Sequence, residues 1–357
     1  MKPEPIKIAF RVDADTHIGT GHLMEVISMF RAIQKMFHFH PLVITRRSKF
    51  TVDKLKSSNI RNFIFIPKAM PEIKEAAKVV AILHKENCGN LVTDLLDYSN
   101  NYYKYLNSRL RNLFVILDAN GVKEVPAAVA VNFSITQNKK FYADKNKGGT
   151  DYLIGPEYFP FNRQITKLKP ITVKDDVERI FLNMGGGDPY GLTAKVIKAL
   201  LLFLKPSVMV HVLLGGAFKP ADIARIKKMK PEIGENFNFH SNIPQEKVYA
   251  LMANTDLAIT AAGNTLYELA YFGIPSIVLS HHLRHLRVAE AFRKQKAIIS
   301  LGIGAKIPGY KIAQAVKGLI VNARLRRELS FRIKNIVSAE GTSRICSEIL
   351  RHVRSHG

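Results

Sequence analysis

The chain has 357 residues, of which 47% are hydrophobic and 23% are charged, a composition typical of globular proteins with two ordinary domains. The formal net charge of +24 favours anionic partners such as nucleotide phosphates, acidic glycans or an anionic membrane surface. No zinc knuckle, aromatic RNA-binding signature or long basic arm occurs, which argues against nucleic acid as a partner.

Targeting signals and cysteine usage favour a cytoplasmic protein. The first residues lack the apolar core of a signal peptide, and no apolar run approaches the roughly 18 residues of a membrane-spanning helix. Cys88 and Cys346 lie far apart without a CxxC pair, which argues against a disulfide framework and a structural zinc site. We expect a cytoplasmic chain with peripheral membrane contact at most.

The first half alternates apolar segments with segments of helical spacing. Residues 6–12 predict a buried strand, and the apolar positions between 23 and 33 recur at spacings of three and four, as in an amphipathic helix. Further strands are predicted at 41–45, 62–67, 91–94, 113–118 and 129–133, with a helix at 72–84. This alternation predicts a parallel sheet covered on both faces, with ligands beyond the carboxyl ends of the strands, where Asp13, Asp94 and Asp118 would lie.

The second half repeats the pattern. Residues 136–150 predict a polar loop, and the polar and basic segment 162–176 predicts a domain boundary. Strands are predicted at 179–184, 208–214, 237–240, 257–260 and 276–280, before a helical tail from Tyr310 onward. We therefore expect two Rossmann-like domains, at 1–165 and 175–357, facing each other across a cleft, with the C-terminal helices packing back on the first domain.

The first strand-to-helix turn carries Gly19 and Gly21, and His22 opens the helix. Without side chains, the backbone amides can approach a ligand, and the helix N-terminus favours an anion. The positive end of the helix dipole disfavours imidazolium, so we expect His22 to be neutral near pH 7, as a general base must be. Two glycines also occur in such turns for tight packing, so the turn alone does not decide between chemistry and packing.

Two turns of the second half also join a predicted strand to a predicted helix through glycine. In the first of them, Gly185, Gly186 and Gly187 precede Asp188, predicted as a helix N-cap, and Pro189, predicted at the first helical position. The glycines suit a phosphate, whereas Asp188 and Pro189 are expected to be structural.

The turn at Gly263, Asn264 and Thr265 could hold a diphosphate on its amides. Glu268 lies one turn into the following helix, where a carboxylate can accept both hydroxyls of a ribose. Thr265 and Glu268 also have the spacing of a capping box, in which their side chains would accept hydrogen bonds from local backbone amides only. Both interpretations of Glu268 remain open at this point.

A group of histidines and arginines follows the next strand. It consists of His281, His282, Arg284, His285 and Arg287. His281 and His285 have the spacing of a helical metal pair, but no glutamate lies between them as in H-E-x-x-H. We expect phosphate or sugar contacts here rather than a metal.

Together these stretches resemble the PseG UDP-sugar hydrolases of the pseudaminic acid pathway and the related spore-coat polysaccharide proteins (SpsG). That family is similar to the MurG-type glycosyltransferases, which have the GT-B fold. Four segments carry the resemblance: Phe10 to His22, Tyr152 to Tyr158, Gly186 to Pro189, and Ala262 to Pro275.

The resemblance implies that the C-terminal domain binds the nucleotide and that N-terminal loops face the sugar. His22 would activate water for attack at the anomeric carbon, releasing UDP with inversion and without metal or cofactor, and Asp13 would hold the sugar or orient His22. The expected sugar-side residues are Arg11, Gly21, Asp94, Asn132 and Tyr158, and the expected nucleotide-side residues are Gly186, Gly187, Gly263, Asn264, Thr265, Glu268 and His285.

Four positions depart from the family pattern. They are Glu25 in place of an arginine, Asn120 in place of an aspartate, Ala262 in place of a glycine, and His285 in place of a glutamine. The resemblance implies hydrolysis of a UDP-2,4-diacetamido-2,4,6-trideoxyhexose for nonulosonic acid biosynthesis. A GT-B glycosyltransferase using a UDP-sugar donor and an inactive nucleotide-sugar-binding protein are the alternatives.

Overall fold

A computed structural model describes residues 6–15, 21–36, 39–116, 124–137, 139–143, 149–218, 220–229, 234–241 and 243–355. Two compact units make up the chain: Met1–Arg163 with Glu340–Gly357, and Gln164–Ala339. The last helix of the sequence therefore belongs to the first unit. Gly19, Asp118 and Asn120, to which the sequence assigns roles, lie outside the described residues.

The first unit is built on a seven-stranded sheet of order β3-β2-β1-β4-β5-β6-β7, in which every neighbouring pair is parallel. Its strands are β1 (Ile6–Val12), β2 (Phe39–Arg46), β3 (Phe63–Ile66), β4 (Asn90–Asp94), β5 (Asn112–Ile116), β6 (Val129–Asn132) and β7 (Asp151–Ile154). Its helices are α1 (Gly21–Met36), α2 (Lys49–Ser57), α3 (Glu72–Lys85), α4 (Asn100–Asn107), α5 (Lys139–Ala143) and α13 (Gly341–Ser355).

Separate apolar clusters cover the two faces of this sheet. On one face Phe10, Val12 and Val92 pack with α1 and α13, and Cys346 of α13 is fully buried there. On the other face Ala9 and Leu91 pack with α3 and α4. Burial on both faces explains why these strands have near-continuous apolar sequences.

The second unit has a six-stranded parallel sheet of order β10-β9-β8-β11-β12-β13. Its strands are β8 (Arg179–Asn183), β9 (Met209–Leu214), β10 (Phe237–Ser241), β11 (Leu257–Thr260), β12 (Ser276–Ser280) and β13 (Ile299–Ile303). Its helices are α6 (Leu192–Leu201), α7 (Pro220–Lys228), α8 (Gln245–Ala253), α9 (Asn264–Phe272), α10 (Leu283–Lys294), α11 (Gly309–Val321) and α12 (Ala323–Lys334). Two Rossmann-like parallel-sheet domains are thus confirmed.

The structure corrects the predicted start of α6. Gly191, with φ of 63°, is the N-cap, and the helix begins at Leu192 rather than at Pro189. Asp188 still caps it, because its two carboxylate oxygens accept from the amides of Leu192 and Thr193 at 2.8 and 2.7 Å. The glycine-rich loop is therefore longer than the sequence predicts.

None of the described helices combines the length and apolar character that a bilayer-spanning segment requires.

Candidate functional site

Each sheet has one topological switch point, where the strand order reverses. In the first unit it lies between β1 and β4, and in the second between β8 and β11. Ligands of open α/β sheets bind beyond the carboxyl ends of the strands at such points. The residues that follow these four strands are therefore the first candidates for function.

A histidine–aspartate pair spans the switch point of the first unit. Val12 at the end of β1 pairs in register with Asp94 at the end of β4, and His22 lies in the first turn of α1. The distance between His22 Nδ1 and Asp94 Oδ1 is 2.6 Å. The Asp94 side chain is 1% exposed, whereas that of His22 is 18% exposed.

This geometry suits a general base. With Asp94 ionised, Nδ1–H of His22 donates to Oδ1, and the lone pair of the imidazole is then on Nε2. A buried carboxylate in this position fixes both the tautomer and the ring orientation, and it stabilises the imidazolium that forms when Nε2 takes a proton. The sequence-based expectation for Asp94 was a sugar contact, whereas in the structure Asp94 is the hydrogen-bond partner of His22.

A third acid lies beside the pair. Glu25, one turn after His22 on α1, is 5% exposed. One ring nitrogen of His22, one carboxylate oxygen of Glu25 and one of Asp94 lie within 4.8 Å of one another. Glu25 is the position where the resemblance implies an arginine, so the charge beside His22 differs from that expectation.

Arg11 and Asp13 have a different place from the one expected. The Arg11 side chain is 0% exposed and donates to both carboxylate oxygens of Asp13, at 2.6 and 2.7 Å, and to Glu75 Oε1. Arg46 adds its backbone amide to Asp13 and its guanidinium to Glu75.

Charge in this network controls the ionisation of Asp13. Burial opposes ionisation, but hydrogen bonds and the charge of Arg11 hold the pKa of Asp13 below its ordinary value. The expectation that Asp13 orients His22 is therefore corrected: both of its oxygens are held by arginines, and Asp94 contacts His22 instead. Arg11 is fully buried in the same network, where it binds carboxylates of the protein itself.

The other expected sugar-side residues lie apart from this network. Gly21 is the first residue of α1. Asn132 ends β6 and is almost fully buried, and its Oδ1 accepts from the amide of Ser134 at 3.1 Å. Tyr158 ends a short 3₁₀ helix and packs half-buried against the α1 side of the core. No ligand contact of these three residues follows from their geometry alone.

In the second unit, Asn183 at the end of β8 organises the switch point. Its Oδ1 accepts from the amide of Gly185 at 3.0 Å and from the hydroxyl of Thr265 at 3.1 Å. Its Nδ2 donates to the carbonyl of Leu213 on β9. One side chain thereby connects the glycine-rich loop to the first turn of α9. Sequence analysis missed Asn183, although a polar residue ending an apolar strand was a visible signal.

Gly185, Gly186 and Gly187 form a tightly packed turn. Gly185 has a φ of 90°, which favours glycine, and the carbonyl of Gly186 accepts from the amide of Ala217 at 2.8 Å. A Cβ on Gly187 would lie 3.2 Å from the carbonyl oxygen of Ala217. These glycines are thus explained in part by packing, so they carry less evidence for a phosphate than the sequence suggested.

Gly263 is different. It is the N-cap of α9 with a φ of −99°, which any residue adopts, and as a glycine it has no side chain with which to cap the helix. A Cβ added to Gly263 would meet no atom within 4 Å. Neither conformation nor packing requires glycine here, so the space beside the N-terminal amides of α9 is open to a ligand. Asn264 and Thr265 follow Gly263 as the first two residues of α9.

Glu268 does not act as a capping-box residue. Its Oε1 accepts from the hydroxyl of Tyr249 at 2.9 Å and from the amide of Gln245 at 3.4 Å, both on α8. Burial raises the pKa of the Glu268 carboxyl to about 7, although the Tyr249 hydrogen bond opposes the shift. The capping alternative is therefore wrong. The distant pairing with Tyr249 had no signal in the sequence.

The histidines after β12 lie at the same edge of the second sheet. The His281 ring is hydrogen-bonded through Nε2 to the carbonyl of Met184 at 2.8 Å, so Nε2 carries the proton. Tyr190 stacks on His281 at 5.8 Å between ring centroids. Burial and the neighbouring histidines lower the pKa of His285 to about 3, so His285 is neutral at ordinary pH. A neutral ring suits hydrogen bonding to a ligand more than charge pairing with a phosphate.

The similar proteins of known sequence are distant. An uncharacterized protein of Methanocaldococcus jannaschii is 22% identical over 77% of this chain and 55% of its own length. The spore coat polysaccharide biosynthesis protein SpsG of Bacillus subtilis is 25% identical over 77% of this chain and 80% of its own. A Helicobacter pylori protein named pseudaminic acid cytidylyltransferase and UDP-2,4-diacetamido-2,4,6-trideoxy-beta-L-altropyranose hydrolase is 22% identical over 69% of this chain and 48% of its own. The chain thus spans about half the length of two of these relatives. No protein-family model matches the sequence.

Solved structures match over nearly the whole chain. MurG of Acinetobacter baumannii has a TM-score of 0.67 at 13% identity, covering 97% of this chain and 100% of its own. The UDP-GlcNAc 2-epimerase of Neisseria meningitidis, solved with UDP-GlcNAc bound, has a TM-score of 0.64 at 11% identity, with 97% and 100% coverage. The chain therefore has the GT-B fold, and it is a distant relative of SpsG and of the two-activity Helicobacter protein.

Proposed function

We propose that this protein is a nucleotide-sugar enzyme that hydrolyses a UDP-sugar at its anomeric carbon, with a UDP-diacetamido-trideoxyhexose as substrate class. The observation that carries the proposal is the His22–Asp94 pair at the switch point of the first sheet, 2.6 Å apart. The named hydrolase activity of the distant Helicobacter relative, and the UDP-GlcNAc bound to a protein of the same fold, support it.

In this proposal the second unit binds the UDP. The N-terminus of α9 and the open space at Gly263 accommodate the diphosphate, whose negative charge the helix dipole stabilises. Glu268, held by Tyr249, accepts hydrogen bonds from the ribose hydroxyls through its remaining lone pairs. His285, neutral beside them, contributes hydrogen bonds without charge.

The first unit supplies the base. His22 Nε2 takes a proton from water as the water oxygen attacks the anomeric carbon, and the bond from that carbon to the diphosphate oxygen breaks with inversion. The electron pair of that bond leaves with UDP, which is a good leaving group because the amides of the second unit stabilise its charge. Asp94 stabilises the imidazolium until the proton passes to solvent. The step requires no metal or cofactor.

The test is UDP release from purified protein given UDP-2,4-diacetamido-2,4,6-trideoxyhexose or UDP-GlcNAc without an acceptor. We expect release by the wild-type protein, a single anomer of free sugar with inverted configuration, and no release by His22→Ala, which should bind UDP with unchanged affinity. Release only when an acceptor is present would replace hydrolysis by glycosyl transfer. Binding of UDP-sugars without turnover under either condition would identify an inactive binding protein.

A further inference from the structure

His22, Glu25 and Asp94 form a compact set of metal-ligating groups at the start of α1. A ring nitrogen and two carboxylate oxygens from these residues lie within 4.8 Å of one another. Ligands around a four-coordinate zinc ion at 2.0–2.1 Å are separated by about 3.4 Å. Side-chain rotations that shift these atoms by about 1 Å would therefore bring all three into the coordination distance of one ion.

The electrostatics of the set favour a cation. Asp94 and Glu25 are 1% and 5% exposed, so two carboxyl groups are buried side by side, and their ionised forms repel each other. Asp94 Oδ2 is buried and has no hydrogen-bond partner among the described residues, whereas Oδ1 is bound to His22. A buried carboxylate oxygen without a hydrogen-bond partner is an unsatisfied ligand atom that a divalent ion would complete.

We propose that His22, Glu25 and Asp94 bind one divalent transition-metal ion of the Zn²⁺ type, and that this ion inhibits the enzyme. One imidazole with two carboxylates is a donor set that suits zinc, leaving a fourth position to water. The inhibition rests on the proposed function. An ion on Nε2 removes the lone pair of the base, and an ion on Nδ1 breaks its hydrogen bond to Asp94, so either ligation stops water activation.

A second cluster of the first unit provides a comparison. Asp151, Glu348 and His352 also place ligand atoms within 4.8 Å of one another. There the guanidinium of Arg351 pairs with both carboxylates, which are much more exposed than those of Glu25 and Asp94. A cationic side chain already pairs with both acids, so we expect no tight zinc binding, and a Glu348→Gln variant is the matched control for Glu25→Gln.

The experiment is a calorimetric titration of chelator-treated protein with ZnCl₂ in the absence of substrate. We expect the wild-type and Glu348→Gln proteins to bind one Zn²⁺ ion with the same affinity, and Glu25→Gln to lose at least about tenfold in affinity. His22→Asn, which removes a different ligand, should lose zinc in the same way, and it serves as the test if Glu25→Gln does not fold. Zinc binding by the wild-type protein that both variants retain, or no binding by the wild-type protein, would overturn the proposal.

The titration is independent of turnover, so it separates this proposal from the proposed function. If the protein binds zinc through Glu25 but releases no UDP, the metal site stands and the hydrolase assignment fails. If the protein hydrolyses UDP-sugars, we expect Zn²⁺ to inhibit wild-type and Glu348→Gln proteins at the concentration at which the ion binds. Full activity of the zinc-saturated wild-type protein would refute the inhibitory role.

Discussion

The hydroxyl of Thr265 on α9 donates to Oδ1 of Asn183 at the end of β8, 3.1 Å away. The bond joins the two elements on either side of the switch point of the second sheet. It holds the first turn of α9 in a fixed position beside the glycine-rich loop, which also binds Asn183 through the amide of Gly185. A preorganised helix N-terminus binds an anion with little loss of conformational entropy.

The first sheet has an equivalent link across its own switch point. There the bond joins His22 of α1 to Asp94 of β4, so the polar pair includes a titratable base rather than a threonine. The two switch points therefore carry polar pairs of different chemical character. A fixed anion site suits nucleotide binding, and an oriented imidazole suits proton transfer.

Asp94→Asn should reduce kcat for UDP release by at least about 100-fold, because an amide partner no longer fixes the productive tautomer or stabilises the imidazolium. UDP affinity, measured by calorimetry, should not change, since the residues that we propose to bind the nucleotide belong to the second unit. The exposed Asp97→Asn variant, three residues further on, is the control and should keep wild-type kcat. An Asp94→Asn enzyme with normal turnover would remove the dyad from the mechanism.

Gly263→Ala should weaken UDP binding by about tenfold or more without lowering stability. The φ of −99° accepts alanine, and no protein atom lies within 4 Å of the new methyl group, so the methyl would occupy only the space assigned to the diphosphate. Gly318→Ala on α11 is a matched control, because its methyl also meets no atom within 4 Å. That variant should gain up to about 1 kcal/mol of stability from helix propensity and keep wild-type affinity for UDP. Equal UDP affinities of the two variants would show that the space at Gly263 is not a ligand site.

Most strands could be predicted because strands buried on both faces leave long apolar runs. The edge strands β7 and β13 were missed, since their half-buried residues alternate less clearly and Gly302 interrupts β13. Propensity rules also predicted that α6 begins at Pro189. In the structure the loop after β8 continues to Gly191, which has a left-handed conformation, and the helix begins at the next residue.

The partner of His22 shows what a single sequence lacks. Asp13 is nearer in sequence, but side chains alternate along a strand, and Phe10 and Val12 face α1. Arg11 and Asp13 therefore lie on the α3 side, whereas Asp94 shares the α1 side with Val92. The alternation of side chains along each strand could be predicted from the sequence. The sheet face that α1 covers and the pairing of β1 with β4 could not.

Stability should fall as pH rises through the range in which Glu268 ionises. The folded-state pKa of about 7 lies above the ordinary value of 4.5, so between these values the unfolded chain has released a proton that the folded chain retains. The contribution of this group is therefore most favourable at low pH and is lost as pH increases toward 7. Glu268→Gln should abolish this component, which we expect to be on the order of 1–3 kcal/mol.

The measurement is the difference in unfolding free energy between wild-type and Glu268→Gln proteins from pH 5 to pH 8 by urea denaturation. Taking the difference cancels histidine contributions such as that of His285, which are common to both proteins. The unfolding free energy of the variant should increase relative to that of the wild-type protein as pH increases. A difference that does not vary with pH would mean that Glu268 has an ordinary pKa.

Arg11→Met should destabilise the first unit by about 3 kcal/mol, because it removes a cation from the buried Asp13 and Glu75 carboxylates. Among the residues that the structure describes, Arg46 is then the one cation paired with them, and the tyrosine hydroxyls on Glu75 carry no charge. Arg351→Met removes a pair of exposed ion pairs instead and should change stability little. Urea denaturation compares the two variants, and UDP release measured below the transition shows whether chemistry is affected. At a temperature where it is folded, Arg11→Met should keep most of its kcat, because the hydrogen bonds of Arg11 go to Asp13, Glu75 and Tyr98 and not to the His22–Asp94 pair. The contrary outcome would be an Arg11→Met variant of unchanged stability whose KM for the UDP-sugar rises tenfold. That result would support a sugar contact for Arg11, because loss of a guanidinium that only neutralises Asp13 and Glu75 should weaken the fold before it raises KM.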